Sequence, residues 1–420
     1  MQSVSINLPS QSFTSFNSAV PILHIYKPAL VTGLRKKIIQ KLIWLNILVI
    51  AIKKGGSIAG GIRKVRQLKN LRLRYANNVN LTKYQLVGNR YYYSYNAPGW
   101  PSQSFNRYIT HMLGKQSQTA RPSLHTLIFA ITKKCGFKCE HCSEWENLNK
   151  PERLGQNDLL QIINRFHVLG ISQLQLSGGE PLNRLDDILY LLDHLPTDID
   201  CWMYTTGFQL NFEKACLLKK HGLRGLGISI DDHDASRHDR FRGRAGSFHR
   251  ALKACNYATM AGLVVTFSIC PTKDFISEDN LLAYAKLAKK HGASFIQIME
   301  PKAVGHYANM DVTLKPDHIK ILETFYEKMN SHEDYASFPT VVYHGYYSRR
   351  MGCAGSGHDY LYVDTDGDVH SCPFCQKKLF HVFDDNLAEN ISAMRKAGCG
   401  VFEKSSISIN SIDQPLIKTV

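Results

Sequence analysis

From Leu124 to about His332 the hydrophobic positions alternate between two periods. Short apolar or β-branched runs at residues 127–131, 173–177, 201–204, 227–230, 264–269 and 295–299 predict strands. Between and after them, apolar positions recur at helical spacing over residues 157–169, 185–195, 212–221, 247–261, 279–291 and 316–330. Gly170, Gly222, Gly262 and Gly292 follow four of these segments, where helices prefer to stop. Six strand–helix alternations predict an α/β fold with a parallel sheet and crossover helices. Its functional residues should gather at the C-terminal ends of the strands.

The front of the chain has a different pattern. Residues 38–52 read IIQKLIWLNILVIAI, bracketed by Arg35-Lys36-Lys37 and Lys53-Lys54. A helix of that length reaches about 22 Å, short of a hydrocarbon core of about 30 Å, and it contains Gln40, Lys41 and Asn46. It is expected to lie in a membrane interface rather than cross it, with Trp44 and the lysines at headgroup level. GGSIAGG then reads as a flexible break. A helix over residues 62–75 follows, with Arg63, Arg66, Lys69 and Arg72 near helical spacing. This face either packs on the main domain as a solvated surface or meets an anionic membrane; nucleic acid or an acidic peptide are weaker readings. Residues 85–95 predict a hairpin turning at Gly88-Asn89, and residues 116–122 a linker.

Length and composition sharpen that division. With 420 residues and 44% hydrophobic side chains, the chain is too apolar for disorder and long enough for one large domain with appendages. The formal charge is +16, yet residues 1–120 hold 17 Lys and Arg with no Asp or Glu, leaving 34 basic against 35 acidic side chains in the rest. Residues 1–20 carry six Ser and no Lys or Arg, unlike a secretory signal; lacking acidic residues, they keep an organelle transit segment as a weaker reading. A reducing cytoplasm is expected, and the eleven cysteines then point to metal or cluster binding rather than disulfides.

Three of those cysteines follow the first predicted strand, in Cys135-Gly136-Phe137-Lys138-Cys139-Glu140-His141-Cys142. Thiols at this spacing can close round one soft centre, and thiolate is the usual ligand of iron–sulfur clusters. Three ligands for a four-iron cluster leave one iron open to a small molecule. This triplet resembles the signature of the radical S-adenosylmethionine (radical SAM) superfamily, whose core is a partial (β/α)6 TIM-like barrel.

Further strand ends extend the resemblance. Gly178-Gly179-Glu180 after the second strand is similar to the family's motif for the methionine amino group, since glycines allow close backbone approach and a carboxylate pairs with an ammonium. Tyr204-Thr205-Thr206-Gly207 ends the third strand, where family members contact the cofactor, and Phe137 within the cysteine loop is a further expected cofactor contact. Ser229, Ile230, Asp231 and Asp232 end the fourth strand and precede His238-Asp239-Arg240-Phe241-Arg242-Gly243. In similar peptide-modifying enzymes Ser and Arg here bind the methionine carboxylate. The resemblance therefore implies Ser229 and Arg242, with Arg240 as the competitor and Asp231 beside them. Asp231-Asp232 replaces the family's usual Asp-Gly. Cys270 and Glu300 end the fifth and sixth strands; a buried inert thiol is the expected state of Cys270, and no substrate acid or base is assigned.

Beyond the barrel come Cys353, an alternating run through Asp366-Gly367 that predicts a hairpin, Cys372-Pro373-Phe374-Cys375, and Cys399. Physically, a second iron–sulfur cluster and a four-thiolate zinc site are both open. Cys353, Gly367 and Cys372 at their spacing resemble the start of the SPASM extension of peptide-modifying radical enzymes. Too few cysteines follow for two clusters, so the resemblance implies one auxiliary cluster on Cys353, Cys372, Cys375 and Cys399.

The expected organisation is a basic extension over residues 1–120, a radical SAM core over 121–335, a small hairpin and helix cluster domain over 345–405, and a tail over 406–420. The resemblance implies reductive cleavage of S-adenosylmethionine to a 5′-deoxyadenosyl radical that abstracts hydrogen from a substrate. That substrate is expected to be a peptide or protein, with a lipid or small metabolite, RNA, or a non-catalytic scaffold as rivals. A one-electron donor such as flavodoxin or ferredoxin is implied. Nucleic acid is not expected as a partner, and an anionic membrane surface is expected at the front helix.

Overall fold

The structure is a computed structural model that describes residues 28–76, 79–114 and 124–399. The expected linker, the first 27 residues and the tail lie outside the described residues.

The first strand, β1 (Ala29–Val31), leads into helices α1 (Gly33–Gly55) and α2 (Ile58–Ala76). Helix α1 is longer than expected because its flanking Arg and Lys are good helix formers and extend it at both ends. Gly56, at φ +68°, stops it, so the break is two residues wide rather than the whole glycine-rich run. At 23 residues α1 is about 34 Å long, but no described helix is long and apolar enough to cross a membrane. Strands β2 (Tyr84–Val87) and β3 (Arg90–Tyr92) form the expected hairpin, and β1 adds a third strand to it. Helix α3 (Gln103–Gly114) completes the layer and was not anticipated.

The barrel units then follow in order: β4 (Thr126–Ala130), α4 (Gln156–Val168), β5 (Gln173–Ser177), α5 (Leu185–His194), β6 (Asp200–Thr205) and α6 (Phe212–Lys220). Next come β7 (Gly225–Ser229), α7 (Ala235–Arg242), α8 (Ser247–Met260), β8 (Val264–Ile269), α9 (Glu278–Lys290), β9 (Phe295–Ile298) and α10 (Pro316–Ser331). Strands β4 to β9 pair in parallel, each with its sequence neighbour. A seventh parallel strand, β10 (Thr340–Tyr343), extends the sheet beyond β9 before α11 (His344–Met351).

The C-terminal hairpin of β11 (Tyr360–Val363) and β12 (Asp368–His370) does not form a sheet of its own, as expected, but joins the barrel sheet. β11 pairs in parallel with β4, whose outer edge would otherwise carry unpaired backbone groups. With β13 (Phe380–His381) the sheet has ten strands, and it does not close; α12 (Leu387–Ala397) packs behind it.

The front segment is tied into the barrel. Tyr92 and Tyr95 pack on Trp202, Val264, Phe295 and Val342, covering one side of the N-terminal end of the lumen. Lys83 is wholly buried and donates to the carbonyls of Met329 and Tyr335 at 2.7 and 2.6 Å.

Candidate radical-cofactor site

The loop after β4 carries Cys135, Cys139 and Cys142, and three other segments pin it. The Asn149 side-chain amide both accepts from the Cys135 N–H, at 3.0 Å, and donates to the Cys135 carbonyl, at 3.1 Å. The end of α7 accepts two loop N–H groups, from Lys138 to Arg242 and from Glu140 to Phe241. Past β9, the Gly305-His306 turn closes the loop's far side. The His306 N–H donates to the Cys142 carbonyl at 2.9 Å, and its Nδ1 to the Cys139 carbonyl at 2.9 Å. Its ring stacks on Trp145 at 3.8 Å between centroids. Gly305 has φ +57°, and a Cβ there would collide with the Cys142 carbonyl.

Gly178 and Gly179 lie against this loop. A Cβ on Gly178 would come within 2.5 Å of the Thr132 carbonyl oxygen, and one on Gly179 within 2.5 Å of that of Lys134. Only glycine permits this approach, and it lets the Gly179 and Glu180 N–H groups donate to those same carbonyls.

Glu180 is 2% exposed, and its carboxylate accepts from the Thr205 hydroxyl at 2.6 Å and from the Thr206 N–H and hydroxyl at 2.8 and 2.5 Å. The two threonines therefore fix the carboxylate's orientation. Thr205, expected at the cofactor, lines the cavity described below and also holds Glu180. Thr206, in the same tetrapeptide, shares that task.

At the end of β7, Asp231 and Arg242 form a buried pair, Arg242 Nε to Asp231 at 2.6 Å. The Arg242 guanidinium also reaches Cys139 Sγ at 3.5 Å, while Arg240 is exposed. Burial opposes the charge on Asp231, but Arg242, His141 and His238 outweigh it and hold the carboxyl below its ordinary range. Burial pushes the Cys135 thiol up to about 11 and that of Cys142 to about 12. Thiols so placed ionise only where a bound cation compensates them, as in a cluster site. Phe137 is buried against Phe208, with Arg244 over both rings.

A cavity of 1430 Å³ gathers these groups. Its walls include Cys135, Cys139, Cys142, Gly178, Gly179, Thr205, Ser229, Asp231 and Arg242. Cys353, Cys372, Cys375 and Cys399 line it too, and Cys353 and Cys399 lie close enough to interact. Glu300, at the end of β9, faces it while bound to Tyr343 and Arg349. Cys270 is buried, and its N–H donates to Asp231 at 3.0 Å. Among the described residues, no three Cys, His, Asp or Glu side chains converge on a single metal ion. Three spaced thiols opening on a cavity, with a buried carboxylate and a buried guanidinium beside them, fit a multi-iron cluster and an amino-acid-like ligand better than one ion.

The anchoring residues Asn149, Gly305 and His306 were missed in the sequence.

Known proteins share this arrangement. The Radical SAM superfamily profile matches residues 129–294. The AdoMet-dependent heme synthase of Nitratidesulfovibrio vulgaris is 28% identical over 214 residues, covering 49% of this chain and 56% of that protein. A GTP 3′,8-cyclase of Pseudomonas syringae is 29% identical over 201 residues, covering 46% and 60%. The chain thus spans little more than half the length of these relatives. Among solved structures, Streptococcus suis SuiB shares the fold with a TM-score of 0.53 at 14% identity, over 82% of this chain and 79% of that one. The enzyme anSMEcpe with bound AdoMet gives 0.51 at 17% identity, over 67% and 84%. The open α/β barrel, the cysteine loop at its mouth and the profile match agree: over residues 129–294 this chain is similar to the radical SAM superfamily.

Proposed function

We propose that this chain is a radical SAM enzyme whose cluster is held by Cys135, Cys139 and Cys142. The observation that carries the proposal is convergence: groups from the ends of β4, β5, β6 and β7 meet on one cavity wall. When bound, a four-iron cluster and S-adenosylmethionine supply one-electron cleavage of the sulfonium, giving the 5′-deoxyadenosyl radical that abstracts a substrate hydrogen.

The chain's own residues orient and shield. Glu180, fixed by Thr205 and Thr206, would pair with the methionine ammonium. Ser229 and Arg242 would take its carboxylate, with Asp231 keeping the guanidinium in position. Gly178 and Gly179 leave room for the ligand at the backbone. The aromatic cluster of Tyr92, Tyr95 and Trp202 packs one side of the lumen's N-terminal end against water. Cys353, Cys372, Cys375 and Cys399 would hold an auxiliary cluster on the same cavity.

A peptide or protein substrate draws support from the fold shared with SuiB, a protein also solved with its precursor peptide SuiA. The apolar half of the cavity favours the second reading, the same chemistry on a lipid.

Anaerobic reconstitution tests the proposal. Two four-iron clusters predict about eight irons per chain, and reduced protein should release 5′-deoxyadenosine from S-adenosylmethionine. Reconstituted, reduced protein that leaves S-adenosylmethionine intact would overturn the assignment; four irons with zinc would overturn the auxiliary cluster alone.

A further inference from the structure

Helix α1 has two apolar faces. Ile39, Ile43, Ile47 and Ala51, one turn apart, face inward and are buried. On the other side Leu34 is 74% exposed, Leu45 57% and Val49 45%. Of the ten large hydrophobic side chains exposed among the described residues, eight lie between Leu30 and Ile62. Scattered exposed apolar residues need no explanation, but a patch gathered on one helix pair does. Exposed cations border it at Arg35, Lys37, Lys41, Lys53, Arg63 and Arg66, with no acidic residue in residues 1–120. An apolar stripe rimmed by cations alone complements an anionic lipid surface, which attracts each cation near it.

The inner face of α1 is part of the cavity wall. Ile43, Trp44 and Ile47 line it, together with Leu68 of α2 and Phe105 and Ile109 of α3. This end is mainly apolar, with Gln40, Ser94 and Asn96 as polar exceptions in its wall, and it offers an extended peptide few partners for its backbone groups. The lumen is more polar: Gln297 Oε1, within β9, and Thr340 Oγ1, at the start of β10, line it, are buried, and have no hydrogen-bond partner. A buried unpaired polar group is destabilising, and a ligand's polar end would satisfy it. At 1430 Å³ the cavity exceeds the roughly 300–1,000 Å³ of ordinary small-molecule sites, leaving space beyond one cofactor.

We propose that the substrate is a membrane amphiphile, drawn from an anionic lipid surface on which α1 and the start of α2 lie. Its polar end enters the lumen beside the cysteine loop, and its hydrocarbon chain lies back among α1, α2 and α3. The inference rests on the radical SAM reading for its chemistry, but not for its binding test.

The full-length chain is sedimented with vesicles of phosphatidylcholine alone or mixed with phosphatidylglycerol. Binding should require phosphatidylglycerol, weaken with salt, and fall roughly tenfold in Leu45→Glu/Val49→Glu, whose exposed sites tolerate the change. Phosphatidylglycerol with a photoactivatable group at its acyl terminus should then crosslink to peptides bearing Phe105 or Ile109. Absence of binding, or equal binding by the variant, overturns the lipid surface. Crosslinks confined to Leu34, Leu45 and Val49 overturn lipid passage and leave the cavity to an extended peptide. Cleavage of S-adenosylmethionine without vesicles is measured separately, so failure of the radical chemistry is distinguishable from failure of this inference.

Discussion

The cysteine loop of residues 135–142 is held from three directions, whereas the four C-terminal thiols sit on turns with few ties. Asn149, the end of α7 and the Gly305-His306 turn together fix the carbonyls of Cys135, Cys139 and Cys142. Around the second set the ties are local. The Gly355 N–H donates to Cys353 Sγ at 3.3 Å, the Cys375 N–H to the Cys372 carbonyl at 3.0 Å, and Ser356 reaches the Gly398 carbonyl. The two regions are bridged at their flanks, by Gln376 to the Ser143 carbonyl at 3.3 Å, by the Tyr362 hydroxyl to Glu144, and by Lys133 to Asp366 at 2.6 Å. A site built by strand ends has its geometry before any ligand arrives, while a site on turns takes more of its order from what it binds.

The largest expected effect separates the two sets by chemistry. Cys139→Ala should reduce S-adenosylmethionine cleavage to background, because the thiol beside Arg242 is lost with its cluster. Cys375→Ala should remove about half of the iron of a two-cluster protein and leave that cleavage measurable. Iron content and 5′-deoxyadenosine release, read on the same preparations, decide it. Loss of cleavage in both variants would break the comparison, by showing that the turn-borne thiols support the first site.

A second experiment probes preorganisation through glycine. Gly305→Ala combines a left-handed backbone with a collision at the Cys142 carbonyl. The expected cost is about 1–3 kcal/mol in stability, with poorer cluster incorporation. Gly352→Ala, beside Cys353, meets nothing within 4 Å, but its φ of +83° with ψ of 174° is a conformation essentially confined to glycine, so it too should lower stability. It should nevertheless spare the first cluster. Denaturant midpoints and the visible absorbance of reconstituted protein give both readouts; equal loss of the first cluster in the two variants would show that contact with the loop contributes nothing.

The same contrast explains what could be read from the sequence. The strands of the barrel were legible because burial on both faces leaves short runs rich in β-branched and apolar residues with no charge, as in VVTFSI of β8. The cysteine spacing and Gly178-Gly179-Glu180 were legible because their contacts are local to strand ends. Strand β10 was not, since four residues after irregular chain carry too little pattern. Nor was the attachment of β11 to β4, a pairing more than 200 residues apart that depends on an edge rather than on any motif. Gly305 and His306 are likewise joined to the cysteine loop only by the fold. Arg240 and Arg242 competed on paper. On helix α7, residues two apart lie about 200° apart, so one is buried when the other is exposed. The exposed outer face of α1 was anticipated, but its inner face as a cavity wall was not, because periodicity cannot say what a helix covers.

The smallest expected effect lies in the hairpin that brings Cys353 and Cys372 together. Asp364 is buried and accepts from the N–H groups of Asp366 and Asp368, at 2.9 and 3.0 Å, and from His370 Nε2 at 3.1 Å. Burial opposes its charge, but His370 and the two N–H groups outweigh that and hold the carboxyl below its ordinary range. A carboxyl with a lowered folded value stabilises fully above the unfolded value of about 3.9, and loses that contribution as pH falls through the folded one. Asp364→Asn removes the titration and should cost about 1–2 kcal/mol at neutral pH. The gap between the two proteins should narrow below the carboxylate range, in chemical unfolding followed across pH. The loss should appear as faster amide exchange in β11 and β12 while the cysteine loop stays protected. A gap that stays constant with pH would mean that the amide's shape, not the missing charge, carries the effect. Exchange spreading to residues 135–142 would mean that the two regions are mechanically one.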